Sequence, residues 1–209
     1  MVGSAIVKTL QNKIDLLIFS DFNYGVLPQE LVNKICKLFE NTKVIISADS
    51  QSSSQIGNIS RYKDMNLITA TEREARISLG LLDEGVEWVA NTLMKKTNSR
   101  NLVMKLGREG FIAYESEKDG FVNRQHFPAL SINPVDVSGA GDSLLAALSV
   151  GLCSGATLMQ SSAIGAGMRV IMVRNRYDRT KVNRHATWAM ENLEQLTPPF
   201  LERHVLCIP

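Results

Sequence analysis

Two periodicities of apolar residues alternate along this chain. Short consecutive apolar runs predict buried strands at Asp15–Ser20, Lys43–Ser47, Met65–Thr69 and Asn101–Leu106. Between them, apolar positions recur every three or four residues, the spacing of a helix with one buried face. After Pro28, the residues Leu31, Val32, Ile35, Leu38 and Phe39 share such a face, and proline suits a helix's first turn. The same spacing predicts helices over Ser4–Asn12, Glu72–Leu79 and about Glu84–Lys96. Phe111–Tyr114 and Gly120–His126 read as a hairpin or two edge strands, and beyond Pro134 the pattern is helical over Ala140–Leu152, Leu158–Val173 and about Asn183–Leu193. Strand and helix in alternation predict an α/β domain with a mostly parallel sheet. No repeat or shift in composition divides the chain, so residues 1–209 are expected to form one domain.

Composition narrows the picture without redirecting it. Hydrophobic residues make up 44% and charged residues 21%, the balance of a globular protein rather than a disordered one. Lys and Arg exceed Asp and Glu by only 23 to 21, which gives no reason to expect a nucleic-acid partner. The basic run Arg174–Lys181 is read as a solvated loop or an edge facing nucleotide phosphates. No apolar run approaches the roughly 20 residues of a membrane span. Three cysteines, Cys36, Cys153 and Cys207, are an odd number at no metal-binding spacing, so reduced thiols and a cytoplasmic location are expected. His126 and His185 have no partner pattern and are read as structural, and Trp88 and Trp188 as core or interface anchors.

The chemistry concentrates in Asp136-Val-Ser-Gly-Ala-Gly-Asp142, which runs directly into the apolar helix Ser143-Leu-Leu-Ala-Ala-Leu148. Three small residues where a loop becomes a helix let backbone N–H groups converge on one anion, and the helix dipole adds to the attraction. A transferring phosphoryl group, with its charge spread over equatorial oxygens, suits such a cradle. Asp142 then stands beside it as a carboxylate able to accept a hydroxyl proton. A helix N-terminus favours the charged form and makes a weak base. Weakness is tolerable where the alcohol loses its proton late. The plainer reading is a glycine turn with Asp as helix cap; two aspartates flanking the small triplet weigh against it.

This segment resembles the D-T-x-G-A-G-D signature of the PfkB, or ribokinase-like, sugar kinases, with Val137 where threonine is usual. The resemblance implies an anion hole at Gly139, Ala140 and Gly141, a catalytic base at Asp142, and a monovalent-cation loop (K⁺) shaped partly by Asp136. Lys105-Leu-Gly-Arg-Glu-Gly110 is similar to the family's T-x-G-x-x-G turn, which implies nucleotide contacts at Lys105, Gly107 and Gly110. Lys105 replaces the usual threonine and either reaches a phosphate or is a solvated strand end. Leu67–Ala75 resembles the family's P-N-x-x-E segment, with Thr71 at the asparagine position and Glu74 at the glutamate that helps hold Mg²⁺. Acids are favoured in a helix's first turn in any case, so Glu74 also has a purely structural reading.

Ser20-Asp-Phe-Asn-Tyr-Gly25 and Ala48-Asp49 are similar to segments in the kinase half of bacterial ADP-heptose synthesis enzymes, with Tyr24 and Gln51 where lysines are usual. Asp21, Asn23 and Asp49 are therefore substrate-contact candidates, with turn formation as the alternative for Asp21 and Asn23. The resemblance covers about Asp15–Val173 and implies a three-layer α/β/α ribokinase-like core, with the family's N-terminal lid and first strands missing. The implied activity is ATP- and Mg²⁺-dependent phosphorylation of a sugar or sugar phosphate. The rival is a non-catalytic nucleotide-binding fragment or degenerate module of a larger synthase. An apolar strand edge left by the missing strands predicts a homodimer.

Overall fold

Six strands form one sheet in the order in which the chain makes them: β1 (Leu16–Asp21), β2 (Ile45–Ser50), β3 (Leu67–Thr71), β4 (Asn101–Lys105), β5 (Phe111–Ser116) and β6 (Val122–Phe127). The structure is a computed structural model and describes residues 14–52, 56–117, 121–129, 139–167, 172–173 and 189–190. Strands β1 to β4 are parallel, and β5 and β6 extend the sheet as an antiparallel hairpin. A short separate parallel pair joins Met172–Val173 to Ala189–Met190.

Helices α1 (Gln29–Phe39), α2 (Glu72–Leu79) and α3 (Val86–Thr97) cover one face of the sheet. Helices α4 (Ala140–Cys153) and α5 (Leu158–Gly167) cover the other. The period of two along each strand divides the core between them: Ile68, Leu102, Met104 and Tyr114 pack toward the first helix layer, and Leu67, Val103 and Ala113 toward the second. Helices on both faces explain why the parallel strands read as continuous apolar runs. The architecture is therefore three layers, α/β/α, as the sequence predicts.

Helix α1 begins at Pro28 and α2 spans Glu72–Leu79, both where their apolar spacing placed them. Strands β1 to β3, in contrast, end later than their apolar runs, while β4 stops one residue short of its run, at Lys105. Strand β2 continues through Asp49 and Ser50, and β3 through Thr71, because ladder partners such as Ser20 opposite Asp49 and Thr71 opposite Lys105 supply the backbone bonds. These polar extensions carry the candidate site residues. Of the two readings of Trp88, exposure removes the core anchor and leaves the interface one, since α3 turns Val89, Ala90, Leu93 and Met94 inward instead. His126 is structural as expected, its Nε2 lying 2.7 Å from the Glu109 carbonyl. The expected helix at Ser4–Asn12 lies outside the described residues, as do His185, Trp188 and Cys207. The helices expected over Leu158–Val173 and Asn183–Leu193 are corrected where they are described: α5 is helical over Leu158–Gly167, and Met172–Val173 and Ala189–Met190 are strands that pair with each other.

Helices α4 and α5 approach closely because two positions lack side chains. A Cβ on Gly151 would overlap Ser161, and one on Gly165 would stand 2.9 Å from Leu144. This contact fixes where α4 lies on the sheet, and so where its N-terminus points.

Candidate active site

Open parallel sheets bind ligands beyond the carboxyl ends of their strands, and four such ends meet here with the start of α4. Gly139 takes the left-handed conformation (φ 77°) that turns the chain into α4. No side chain caps that end. The first-turn N–H groups of a helix have no acceptor within it, so those at Ala140 to Asp142 form a ready cradle for an anion. Gly141 matters for space rather than backbone conformation: a Cβ there would lie 3.4 Å from the Lys105 ammonium.

Lys105, at the end of β4, reaches across the sheet. Its Nζ donates to Asp49 Oδ1 at 2.8 Å, and the Thr69 hydroxyl donates to the same oxygen at 2.7 Å. The Asp49 side chain is 1% exposed and that of Lys105 is 15% exposed. The second oxygen, Asp49 Oδ2, is buried without a hydrogen-bond partner. Gln51 Nε2 donates to Asp142 Oδ1 at 3.3 Å, so the loop after β2 touches the first turn of α4 directly. The structure thus brings Asp142, Gly141, Lys105, Asp49 and Gln51 into one group.

Glu74 sits one layer behind. Its Oε2 accepts from the Thr71 N–H at 2.7 Å while Thr71 Oγ1 accepts from the Glu74 N–H at 3.2 Å, a reciprocal capping box at the start of α2. Its Oε1 accepts from the Ser52 N–H at 2.9 Å, which ties the loop after β2 to α2. The T-x-x-E spacing of Thr71–Glu74 is itself a capping-box signature, and it accounts for both residues locally. Among the described residues, no three acids, histidines or cysteines converge on one point. Asp136, expected beside a monovalent cation, lies outside the described residues.

Asp21 and Asn23 belong to a second network at the end of β1. Asp21 Oδ2 accepts from Arg61 Nη2 at 2.6 Å and from the Tyr62 hydroxyl at 2.9 Å, and Oδ1 accepts from the Asn23 N–H at 2.9 Å. Burial alone would raise the Asp21 pKa; hydrogen bonds from Arg61, the Asn23 N–H and Tyr62, with the Arg61 charge, outweigh it and hold the carboxyl below its ordinary value. Tyr62 is pushed well above the usual phenol range by burial and by donating to that carboxylate. The Asn23 amide donates to Ser50 Oγ at 3.1 Å and to the Gln51 carbonyl, and Gly57 closes over it so tightly that no Cβ fits. These bonds give Asp21 and Asn23 the local role in a turn that the sequence offered beside substrate contact. Arg61 and Tyr62 were not singled out by sequence; Arg61 ends a 3₁₀ turn, Ile59–Arg61, and Tyr62 follows it, in an otherwise polar stretch.

Gly107 and Gly110 form the tight turn between β4 and β5, with φ of 62° and 92°. Gly110 is required by its neighbours, because a Cβ there would overlap the Phe127 carbonyl and stand 2.6 Å from the Ala129 nitrogen. A cavity of about 540 Å³ lies toward the other end of the strands, among Val32, Cys36, Phe39, Thr42, Asp64 and Asn66. It shares none of the residues grouped around Asp142.

A glycine-led helix N-terminus, a side-chain cation and an aspartate at the carboxyl edge of an open sheet are the parts of an α/β protein that handles phosphoryl groups. Comparison with known proteins makes this specific. The chain belongs to the pfkB family of carbohydrate kinases, whose model matches residues 4–183. Among curated relatives, Bifunctional protein HldE of Desulfatibacillum aliphaticivorans is 29% identical over 166 residues, 77% of this chain and 32% of that protein. Among solved structures, a phosphofructokinase-2 mutant from Escherichia coli has a TM-score of 0.64 at 16% identity, over 78% of this chain and 53% of its own. Arabidopsis thaliana ribokinase complexed with ribose and ATP has a TM-score of 0.59 at 17% identity, over 78% and 50%. The fold is thus ribokinase-like. The chain spans about a third of the length of the curated relative and about half that of the solved structures.

Proposed function

We propose that this protein transfers a phosphoryl group from ATP to a hydroxyl of a sugar or sugar phosphate. The observation that carries this reading is the position of Asp142: it lies in the first turn of α4, directly after Gly139 to Gly141, and faces the ends of β2 and β4. Its carboxylate accepts the proton of the acceptor hydroxyl while the N–H groups of Ala140 to Asp142 hold the group in transfer. Gln51, hydrogen-bonded to Asp142, fixes that carboxylate's orientation. The triphosphate of ATP fits a site with an open helix N-terminus and a neighbouring ammonium. When bound, Mg²⁺ neutralises phosphate charge, and it is held largely by phosphate oxygens and water rather than by an all-protein cage. A site without three converging acids accommodates that. Glu74 keeps lone pairs for a water on the metal beside its two backbone bonds.

The relatives named HldE support a sugar phosphate as acceptor, with the heptose phosphates of ADP-heptose synthesis as the first to try. Cys36 and Cys153 are free, in keeping with a reducing, cytoplasmic setting. Among the described residues, no helix is long and apolar enough to cross a membrane. A non-catalytic nucleotide-binding module of a larger synthase is the second reading, favoured by the 32% of the curated relative that the chain spans. ADP release from ATP with Mg²⁺, measured across a panel of sugars and sugar phosphates, separates the two. Turnover with any acceptor, abolished in Asp142→Asn, supports the kinase; ATP binding without turnover across the panel supports the module.

A further inference from the structure

Gln51 holds the Asp142 carboxylate through the end of a long side chain with several rotatable bonds, so its grip is only as firm as the backbone it hangs from. That backbone lies one residue beyond the last pair of the β1–β2 ladder, Asp21 opposite Ser50. The Gln51 N–H still reaches the Asp21 carbonyl at 2.9 Å. Its carbonyl faces no strand, because β1 ends at Asp21 and the chain turns away through Asn23, at φ 59°. The Asn23 side chain takes the strand's place. Its amide donates to the Gln51 carbonyl and, at 3.1 Å, to Ser50 Oγ, while its own N–H donates to Asp21 Oδ1 at 2.9 Å. Gly57 packs over that amide: a Cβ there would stand 2.5 Å from Asn23 Nδ2 and 2.8 Å from the Gln51 carbonyl. On the far side of Gln51 the chain is tied again, by the bond from the Ser52 N–H to Glu74.

We propose that Asn23 is a positioning residue for Asp142, acting through Gln51. The residue type fits the task. Asparagine accepts the left-handed conformation more readily than most residues. Glycine would meet that backbone need without supplying a donor, and aspartate would turn a carboxylate toward the Gln51 carbonyl. The position therefore asks for a left-handed residue that also donates. The result is one line of bonds, Asp21 to Asn23 to Gln51 to Asp142, that joins the end of β1 to the first turn of α4. A carboxylate that takes a hydroxyl proton must be aimed at the acceptor, and a misplacement of about 1 Å can cost about 10²-fold in rate. What Asp142 does rests on the kinase reading; the line of bonds does not.

The test uses the full 209-residue chain and steady-state ADP release with ATP, Mg²⁺ and whichever sugar or sugar phosphate turns over, with a melting curve for each variant. Asn23→Gly removes the amide and keeps the left-handed turn. It is expected to lower kcat about 10- to 100-fold, with the KM for ATP within about twofold of wild type. Asn23→Asp keeps the turn without the donor and should fall with Asn23→Gly. Gln51→Ala should cause a similar loss, and adding Asn23→Gly to it should cost little more, because the link is already cut. An unchanged kcat in folded Asn23→Gly, or a loss that persists undiminished beside Gln51→Ala, would overturn the proposal and leave the kinase reading intact. If wild type turns over no acceptor, the kinase reading falls and urea unfolding judges the linkage. The effects of Asn23→Gly and Asp142→Ala on stability should then be non-additive, and additive once Gln51→Ala is present. Additivity with Gln51 in place would overturn it.

Discussion

Arg61→Ala takes the guanidinium out of the network that closes the end of β1. Five contacts go at once: the 2.6 Å ion pair to Asp21, the 2.7 Å bond from Nη2 to the Leu27 carbonyl, the 2.8 Å contact to the Tyr62 hydroxyl, the exposed 3.2 Å bond from Nη1 to Gln29 Oε1, and the stacking of the guanidinium 4.5 Å above the Tyr62 ring. Asp21 is 5% exposed and Arg61 18%, so solvent screens the pair poorly. Breaking one side of a buried pair costs about 3–5 kcal/mol. Asp21 keeps Tyr62 and the Asn23 N–H, which places the expected loss at about 3–4 kcal/mol. For a chain of this size that is a fall in Tm of about 6–16 °C. The pH dependence supplies a second signature. A carboxyl held below its ordinary value of 3.8 adds stability that is present above that value and is lost as pH falls through the lower, folded value. Wild type should therefore lose this contribution only below about pH 4, and Arg61→Ala should show a shallower loss there. Urea unfolding at pH 7 and at pH 3 measures both. A variant within about 0.5 kcal/mol of wild type at pH 7, with the same acid limb, would refute the role given to this network.

The remaining expectations concern the site and its supports. In any active form, Asp142→Asn should lower kcat by about 10²–10⁴ with nucleotide affinity retained, as initial rates and calorimetry would show; near-full turnover would remove Asp142 from the mechanism. Gly141→Val should weaken ATP binding in a calorimetric titration, since the branch would crowd Lys105, and unchanged affinity would reduce the loop to a turn. Glu74→Ala should cost about 1–2 kcal/mol in urea unfolding through the lost cap, with the loop at Ser52 becoming more open to proteolysis. Strand β1 has one sheet neighbour among the described residues, and light scattering of the 209-residue chain should show a two-fold dimer; a monodisperse monomer would exclude it.

Much of the fold was legible because apolar runs and helical spacing report burial directly. Strands β2 and β3 were underestimated at their carboxyl ends, where Asp49, Ser50 and Thr71 are held by ladder partners rather than by propensity. Those are the positions where a site departs from a regular hydrophobic pattern. Arg61 and Tyr62 escaped because their partner Asp21 is some 40 residues away and no periodicity links them. Lys105 and Asp49 were each visible as candidates, but their pairing needs β3 between them and could not be read from spacing. Thr71–Glu74 carried a local signal, the capping box, that the family resemblance overshadowed. The core half of the Trp88 reading failed because α3 turns Val89 and Leu93, not Trp88, toward the sheet.

The strand order also has a kinetic consequence. Because each strand lies beside its chain neighbour, every pairing in the sheet joins consecutive strands, the antiparallel pairs across short connections and the parallel pairs across longer crossovers, which favours progressive assembly along the chain. Helix α4 breaks that rule. It follows β6 at one edge yet packs against β1 and β2 at the other, so its docking closes a long loop, longer than any pairing within the six-stranded sheet. The cradle at Gly139 to Asp142 therefore comes into being last, on a sheet already formed. A polyphosphate added during refolding should act on that final step, capturing the docked helix and leaving the earlier phases unchanged.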